Sequence, residues 1–163
     1  MADPAFTDLP PAAGLPDALL ALNNDFTTEL SPLDPDKARH LVRHAFMARA
    51  IGEEALLLAF DQDAAYDNPN FQWFRDRFDR FVYIDRVVVT PRRQGWGWAK
   101  FLYESLFARA LERGHANVTC EINVDPPNPR SEAFHNGLGF EPVGQAILPG
   151  AGKTVRYFCK RIG

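Results

Sequence analysis

A short turn with two glycines, near the middle of the chain, has the composition of an anion-binding site. Its sequence is Gln94-Gly95-Trp96-Gly97-Trp98-Ala99. A β-branched run that ends at Val89 precedes the turn, and an apolar-periodic helix follows it. The first turn of a helix carries free N–H groups and the positive end of the helix dipole, and glycine lets a ligand approach the backbone. The turn therefore predicts either a phosphate-like ligand or a plain strand-to-helix connection that binds nothing.

The residues around this turn restrict the kind of anion. At this turn the Gly-Lys-Ser/Thr sequence of nucleotide-binding P-loops is absent, and so is the Gly-x-Gly-x-x-Gly spacing of dinucleotide-binding turns. Arg92, Arg93 and Lys100 add positive charge where a diphosphate would lie. The pattern is therefore typical of a diphosphate bound without either nucleotide motif.

The elements that must position this turn follow from hydrophobic periodicity and breaker residues. We expect helices over 16–24, 36–47, 96–113 and 131–136, and strands over 48–51, 55–60, 81–90, 117–124, 140–145 and 154–161. Residues 1–15 are expected to form a loose arm or a short first strand, and 61–80 an aromatic-rich insertion with a short helix. This order predicts a single α/β domain over 1–163 with a mixed sheet.

Composition excludes several classes of function. The chain has 163 residues, of which 46% are apolar and 24% charged, and this composition indicates one soluble globular domain. A net charge of −3 gives no general attraction to nucleic acid or to an acidic membrane surface. No apolar run is long enough to span a membrane and no signal-peptide pattern is visible, so we expect a cytoplasmic protein. Cys120 and Cys159 form no Cys/His cluster, and no metal site is expected.

Two stretches resemble the GNAT superfamily of acyl-CoA-dependent N-acetyltransferases. The acyl-CoA signature of that family is a strand ending in Val-x-Pro, then Arg/Gln-x-x-Gly-x-Gly/Ala. Gln94, Gly97 and Ala99 occupy its spaced positions. Further along, 128–140 is similar to a second family element, in which an Asn precedes a short helix that ends in Gly-Phe. The resemblance is strong over 83–140 and elsewhere extends to element order only.

The resemblance implies a fold, a cofactor and a set of binding residues. The fold would be a mixed, mostly antiparallel central sheet with splayed central strands, flanked by helices. Acetyl-CoA would lie in the gap between these strands, with its pyrophosphate on the backbone amides of 95–99. The implied cofactor-binding residues are Val87, Val88, Val89, Gln94, Gly95, Trp96, Gly97, Trp98, Ala99, Lys100, Asn128, Phe134 and His135.

Direct attack of an amine on a thioester needs a neutral amine and a proton donor for the departing thiolate. Tyr83, Asp85 and Val87 alternate along one strand and should share a face. In polyamine and aminoglycoside acetyltransferases of the family a carboxylate often stands at the position of Asp85. Asp85 is thus a candidate base, unless it forms an ion pair with a neighbour such as Arg86 or Arg130. Glu121 on the next strand is the rival carboxylate.

The proton donor is less clearly marked. Many relatives have a tyrosine in the short helix before Gly-Phe, and His135 stands at that position here. A histidine titrates near neutrality and can protonate a thiolate. The alternatives are that His135 only hydrogen-bonds the cofactor, or that Tyr83 or Tyr103 is the donor.

The acceptor is not specified by the sequence. Residues 22–25 and 66–78 are expected to shape its pocket, and a small amine or an amino acid is the leading candidate. A peptide or protein amine is an alternative, as is a noncatalytic acyl-CoA-binding role. Nucleic acid and membrane are not expected as partners, and a homodimer is left open.

Overall fold

A computed structural model describes residues 3–26, 30–150 and 152–163. Within these residues the chain forms seven strands and five helices. The strands are β1 (Thr7–Asp8), β2 (Met47–Ile51), β3 (Ala55–Asp61), β4 (Val82–Val89), β5 (Asn117–Asp125), β6 (Glu141–Leu148) and β7 (Lys153–Arg161). The helices are α1 (Asp17–Asn24), α2 (Pro35–His44), α3 (Pro69–Arg75), α4 (Trp98–Glu112) and α5 (Pro129–Gly137), and a 3-10 turn spans Pro91–Arg93.

The strands form one sheet in the order β1-β2-β3-β4-β5-β7-β6. All neighbours are antiparallel except β4 and β5, which run parallel. These two central strands pair only where Val82 lies opposite Val118 and Tyr83 opposite Thr119. Beyond this point β4 and β5 have no ladder between them. The predicted mixed sheet with splayed central strands is confirmed.

Helices bury both faces of the sheet. Leu56 and Leu58 of β3 belong to the apolar cluster that includes α1, α2 and α3, whereas Leu57 and Ala59 belong to the cluster that includes α4. Successive side chains of a strand point to opposite faces, so a strand covered on both sides must be apolar at every position. This explains why β3 is a continuous apolar run.

A β-bulge at Asp85 interrupts the side-chain alternation of β4. Arg86 lies opposite Leu58 and Ile84 lies opposite Ala59, so Asp85 is an extra residue in β4. As a result Tyr83 faces the cluster with α1 to α3, while Val87 faces the cluster with α4. The prediction that Tyr83 and Val87 share a face with Asp85 is therefore wrong, because strict alternation holds only for a regular strand.

The aromatic segment over 61–80 forms part of the core. Pro69 and the capping side chain of Asn68, which accepts from two backbone N–H groups, begin α3. Phe71 and Phe74 of this helix are fully buried. The segment thus supports β4 from one side of the sheet instead of only covering a pocket.

Two element ends differ by three residues from the sequence prediction, that of the second helix and that of β6, which ends at Leu148 and not at residue 145. The second helix was expected to continue to Met47, but it ends at His44, because Met47 pairs with Ala59 in the sheet. In the N-terminal arm, β1 pairs with β2, and the Asp8 carboxylate contacts Arg49 at 2.7 Å. In the part of the chain that the structure describes, no helix has both the length and the apolar character needed to cross a bilayer.

Candidate active site

The divergence of β4 and β5 opens a cleft with a volume of about 660 Å³. Its walls come from both strands, from the turn before α4 and from the first turns of α4 and α5. The lining residues are Phe26, Leu30, 84–89, Arg93, Gln94, Gly95, Gly97, Trp98, Ala99, Lys100, Tyr103, 120–123, Asn128, Arg130, Ser131, Phe134 and His135. One long cavity therefore joins the glycine turn to the middle of the sheet.

The glycine turn leaves backbone amides exposed at one end of this cleft. Gly95 and Gly97 have φ values of 85° and 83°, a left-handed conformation that favours glycine. A Cβ atom added at either position would meet no atom within 4 Å, so packing does not explain these glycines. Gly97 is also the N-cap of α4, and no side chain caps the helix there. The first N–H groups of α4 are therefore available to a ligand anion.

The predicted cations around the turn have different roles. Arg92 and Arg93 both form ion pairs with Glu54. The Arg93 guanidinium also lies over the rings of Trp96 and Trp98, at 4.3 and 5.2 Å from their centroids. Trp96 is 42% exposed and does not line the cleft, so the structure does not bring this predicted cofactor residue to the site. These contacts hold the glycine turn in place, and of the two arginines only Arg93 also lines the cleft.

A second set of cations faces the cleft. Lys100 lies in the first turn of α4, and Arg130 lies at the start of α5. Arg130 donates to the Gln94 side-chain oxygen at 3.2 Å, and the Gln94 amide donates to the Val89 carbonyl at 3.3 Å. Lys100 and Arg130 are thus placed to attract a diphosphate at this end of the cleft.

Asp85 is engaged in a buried ion pair. Its carboxylate accepts from Arg86 Nε at 2.6 Å and from the Tyr66 hydroxyl at 2.5 Å, and the two charged side chains are 4% and 5% exposed. Arg86 also donates to the Asn23 side chain at 3.0 Å. Burial lowers the pKa of Arg86, but the charge of Asp85 outweighs this effect and the net pKa is raised. The ion-pair alternative considered for Asp85 is the arrangement seen in the structure.

Both segments expected to shape an acceptor pocket reach this ion pair. Asn23 belongs to α1, and Tyr66 belongs to the aromatic segment. Neither side chain lines the cleft, whereas Phe26 and Leu30 do. The two segments therefore hold the cleft wall in place from behind.

Glu121 is a carboxylate whose pKa lies near neutrality. It lies on β5, lines the cleft, is partly exposed there and accepts from the Tyr83 hydroxyl at 2.6 Å. Desolvation by the cleft walls raises the pKa of Glu121 to about 7, against the hydrogen bond from Tyr83 and with the help of the negative charge on Asp85. A carboxylate of this kind can exchange a proton at physiological pH.

His135 is a nearly buried residue of the cleft wall and lies between two hydrogen-bonding partners. Its Nδ1 lies 2.7 Å from the Ser131 carbonyl oxygen, and its Nε2 lies 2.8 Å from the Tyr103 hydroxyl. Burial lowers the pKa of His135, although the bond to Ser131 opposes this effect. Burial raises the pKa of Tyr103 well above its ordinary value. The Ser131 contact was missed in the sequence, although the spacing of four residues on one helix could have indicated it.

The remaining predicted residues at this end belong to α5. Asn128 accepts from the Ser131 N–H at 3.3 Å and so caps the helix. Phe134 lines the cleft and meets the Tyr103 ring edge to face, with centroids 5.1 Å apart. Apart from Trp96, every predicted site residue lines the cleft. Among the described residues, no group of three or more His, Cys, Asp or Glu side chains could hold a metal ion.

Several solved structures share this fold. The structure of yncA from Salmonella typhimurium with its cofactor acetyl-CoA has a TM-score of 0.71 and 16% identity, and the match covers 99% of this chain and 95% of that chain. The N-acetyltransferase from Staphylococcus aureus Mu50 has a TM-score of 0.68 and 13% identity, with 99% and 100% covered. The ribosomal-protein-S18-alanine N-acetyltransferase from Escherichia coli has a TM-score of 0.64 and 14% identity, with 97% and 93% covered.

Sequence comparison gives a family match. No curated protein sequence matches the chain. Residues 65–140 match the sequence profile of the acetyltransferase (GNAT) family. These residues include β4, the glycine turn, α4, β5 and α5, which together build the cleft. Over these residues the chain is similar to the GNAT family, and the fold of the described chain is the one seen in the acetyltransferase structures.

Proposed function

We propose that the chain, as one domain over 1–163, transfers an acetyl group from acetyl-CoA to a primary amine of a small molecule or amino acid. The amine would attack the thioester directly. The observation that carries this proposal is the combination, in one cleft, of an uncapped helix N-terminus and a carboxylate with a pKa of about 7.

The cleft has the features that acetyl-CoA requires. The amides of Gly95 and of 97–99, with the charges of Lys100 and Arg130, would hold the pyrophosphate. The Trp96 N–H is not available, because it donates to the Arg93 carbonyl. β4 has no ladder partner on the β5 side over 84–89, so its backbone can bond the pantetheine arm. When bound, acetyl-CoA supplies an activated carbonyl carbon. The similar protein yncA was solved with this cofactor, which supports the proposal.

Glu121 is the base that we favour for the amine. A general base acts best when its pKa lies near the working pH, and the Glu121 carboxylate meets this condition. The Asp85 carboxylate already bonds Arg86 and Tyr66, so its role would be to hold β4 and to keep the pKa of Glu121 raised. Glu121 would take the proton of the attacking amine directly or through one water.

The acceptor that we favour is a small amine, and a peptide amine is the second candidate. A similar structure belongs to an enzyme that acts on the alanine of a ribosomal protein, which keeps a peptide amine as the second candidate. Phe26 and Leu30 make the rim on the amine side apolar. The free thiols of Cys120 and Cys159 are consistent with a reducing compartment, the cytoplasm.

Binding and turnover test this function in turn. Acetyl-CoA should raise the unfolding temperature by an amount that grows with its concentration, because it binds only the folded chain. A panel of polyamines, aromatic amines, free amino acids and short peptides is then assayed for release of the CoA thiol. Release with a small amine is the expected result. Release with peptides alone would favour the alternative acceptor, and binding without release would favour a noncatalytic role. No shift at millimolar acetyl-CoA would contradict the cofactor assignment.

A further inference from the structure

The Tyr103 hydroxyl and the His135 ring form a hydrogen-bonded pair between α4 and α5. A carbonyl oxygen only accepts, so the 2.7 Å contact with Ser131 requires a hydrogen on His135 Nδ1. A neutral ring then has no hydrogen on Nε2, and Nε2 accepts the Tyr103 hydroxyl hydrogen at 2.8 Å. Both residues line the cleft, and Tyr103 is 1% exposed and His135 4% exposed. Both ring nitrogens of His135 are engaged, by Ser131 and by Tyr103, so the tyrosine hydroxyl is the group of the pair with hydrogen-bonding capacity left for a ligand.

The charge of His135 decides where the hydroxyl hydrogen of Tyr103 points. When the ring is neutral, this hydrogen bonds Nε2, and it turns toward the cleft only for a charged acceptor such as a thiolate. When the ring is protonated, Nε2–H donates to the Tyr103 oxygen, and the hydroxyl hydrogen is released toward the cleft. Nδ1 stays bonded to Ser131 in both states, so the ring need not rotate.

From this geometry, and resting on the proposed acetyl transfer, we infer that Tyr103 is the catalytic acid for the departing CoA sulfur and that His135 is a positioning residue that supplies its proton. His135 occupies the place of the family's tyrosine, and Tyr103 on α4 takes over the contact with the cleft. The assignment of His135 as the direct donor is replaced by this relay.

The relay balances in protons and charge. When the carbon–sulfur bond breaks, its electron pair stays on sulfur. The Tyr103 oxygen gives its hydrogen to sulfur and receives the Nε2 hydrogen of His135 at the same time. One thiol forms, His135 becomes neutral with its hydrogen on Nδ1, and Tyr103 is unchanged. Solvent then returns a proton to His135.

Acid strength explains why two residues are used. Burial raises the pKa of Tyr103 well above 10, so Tyr103 alone is a weaker acid than a thiol, whose pKa is about 8.5. Burial lowers the pKa of His135 below its ordinary value near 6.5, so its protonated ring is a stronger acid than the thiol. The ionisable groups that face the pair across the cleft are Cys120 and Glu121 of β5, and both act on Tyr103.

The thiol of bound CoA reports on Tyr103 without any turnover. Its ionisation is followed by thiolate ultraviolet absorbance as pH is raised, for CoA free and bound. A hydroxyl that donates to sulfur should lower the pKa of the bound thiol by roughly one unit. Tyr103→Phe should return the pKa to the free value or above. Tyr157→Phe is the matched control, since its hydroxyl is also buried but bonds Asn70, and neither residue lines the cleft. Its link to the site is indirect, through the bond from Asn70 to Glu121.

Turnover with the best amine of the panel reports on His135. The relay requires a protonated ring, so wild-type kcat should fall toward alkaline pH. His135→Gln can hold the Tyr103 hydroxyl but cannot ionise, so this variant should lose about 10²-fold in kcat and lack the alkaline limb. Tyr103→Phe should lose a similar factor with little change in the KM for acetyl-CoA.

The outcomes separate the relay from the proposed function. If CoA does not bind, both fail. If CoA binds but no amine reacts, the acetyl-transfer proposal fails, and a normal thiol pKa in every variant overturns the contact of Tyr103 with sulfur as well. If the wild type turns over, then an unchanged kcat in Tyr103→Phe, or an unchanged kcat and alkaline limb in His135→Gln, overturns the relay alone.

Discussion

Glu121 and Asp85 are carboxylates on the two walls of one cleft, and their partners give them different chemistry. Asp85 meets a guanidinium at 2.6 Å and a hydroxyl at 2.5 Å, whereas the side chains that donate to Glu121, the Tyr83 hydroxyl at 2.6 Å and the Asn70 amide, are neutral. An unpaired carboxylate in low-dielectric surroundings takes up a proton more readily than a paired one. At the scale of single residues, the environment and not the residue type therefore assigns the base.

Replacement of Glu121 by Gln tests this assignment. Gln keeps the size and can still accept from Tyr83, but it cannot take a proton. We expect kcat to fall by about 10²- to 10⁴-fold, the usual contribution of a general base. In the wild type, kcat should fall as pH drops through the Glu121 pKa of about 7, because the protonated carboxyl is not a base. This acid limb should be missing in Glu121→Gln.

The readouts are kcat over a pH series and the acetyl-CoA thermal shift. The shift should persist in Glu121→Gln, since the proposed pyrophosphate site lies at the other end of the cleft. A variant with full kcat would return the role of base to Asp85.

At the scale of elements, the start of α4 carries the proposed cofactor contact. A left-handed glycine at the N-cap turns the chain from the 3-10 turn into the helix and leaves the amides without a side-chain cap. A second irregularity, the bulge in β4, shapes another wall of the cleft. Its extra residue is Asp85, whose carboxylate pairs with Arg86. One irregularity at the start of a helix and one within a strand thus build the two halves of the site.

Two glycine substitutions separate backbone strain from ligand binding. Gly97 and Gly150 both have positive φ, 83° and 77°, and a Cβ on either meets open space. Substitution by Val should destabilise the fold by about 1–2 kcal/mol or more in each case, since a left-handed backbone is strained with a β-branched side chain. Only Gly97→Val should also lose the thermal shift with acetyl-CoA, because Gly150 lies in the β6–β7 turn and does not line the cleft. An equal shift in both variants would argue against a cofactor contact at the start of α4.

At the scale of the whole molecule, the apolar clusters on the two faces of the sheet hold the cleft open. The Thr119 hydroxyl donates to the Val82 carbonyl at 3.2 Å where β4 and β5 still pair. Helices α1 to α3 then pack behind one face and α4 behind the other. The same burial encloses His115, whose Nδ1 has no hydrogen-bond partner among the described residues and whose ring is 4% exposed.

Stability should therefore depend on pH through His115. Burial lowers its pKa, the charge of Arg80 lowers it further, and Asp61 and Asp63 oppose the shift. Below about pH 6.5 the unfolded chain takes up a proton that the folded chain resists, so stability falls with decreasing pH. Buried His135 acts in the same direction.

Urea unfolding between pH 7.5 and 5.5 measures this loss. We expect His115→Phe to retain more of its neutral-pH stability at pH 5.5 than the wild type does, because the ring that must take up a proton is removed. His44→Gln on α2 is the control, and its pH dependence should match the wild type. The same slope in His115→Phe would assign the loss to other groups.

Patterns among residues that are close together in the chain were sufficient to predict the order of most helices and strands. Strand periodicity, the glycines at 95 and 97 and the Asn128 cap are local features, and local features are readable because neighbouring residues dictate backbone conformation. The element order followed from them, whereas the assignment of the turn to acetyl-CoA came from its resemblance to the GNAT family. The end of α2 was misplaced by three residues, because pairing with β3 overrides the helical pattern there.

Only the tertiary structure decided which side chains meet. The bulge that reverses the alternation of β4, the Asp85–Arg86 pair and the Tyr103–His135 contact join residues whose directions depend on packing across the sheet. Sequence spacing cannot show whether a buried carboxylate is paired, and the pairing sets its pKa. For this reason the glycine turn at the start of a helix was predictable from the sequence, while the separate roles that we propose for Glu121, Tyr103 and His135 required the folded cleft.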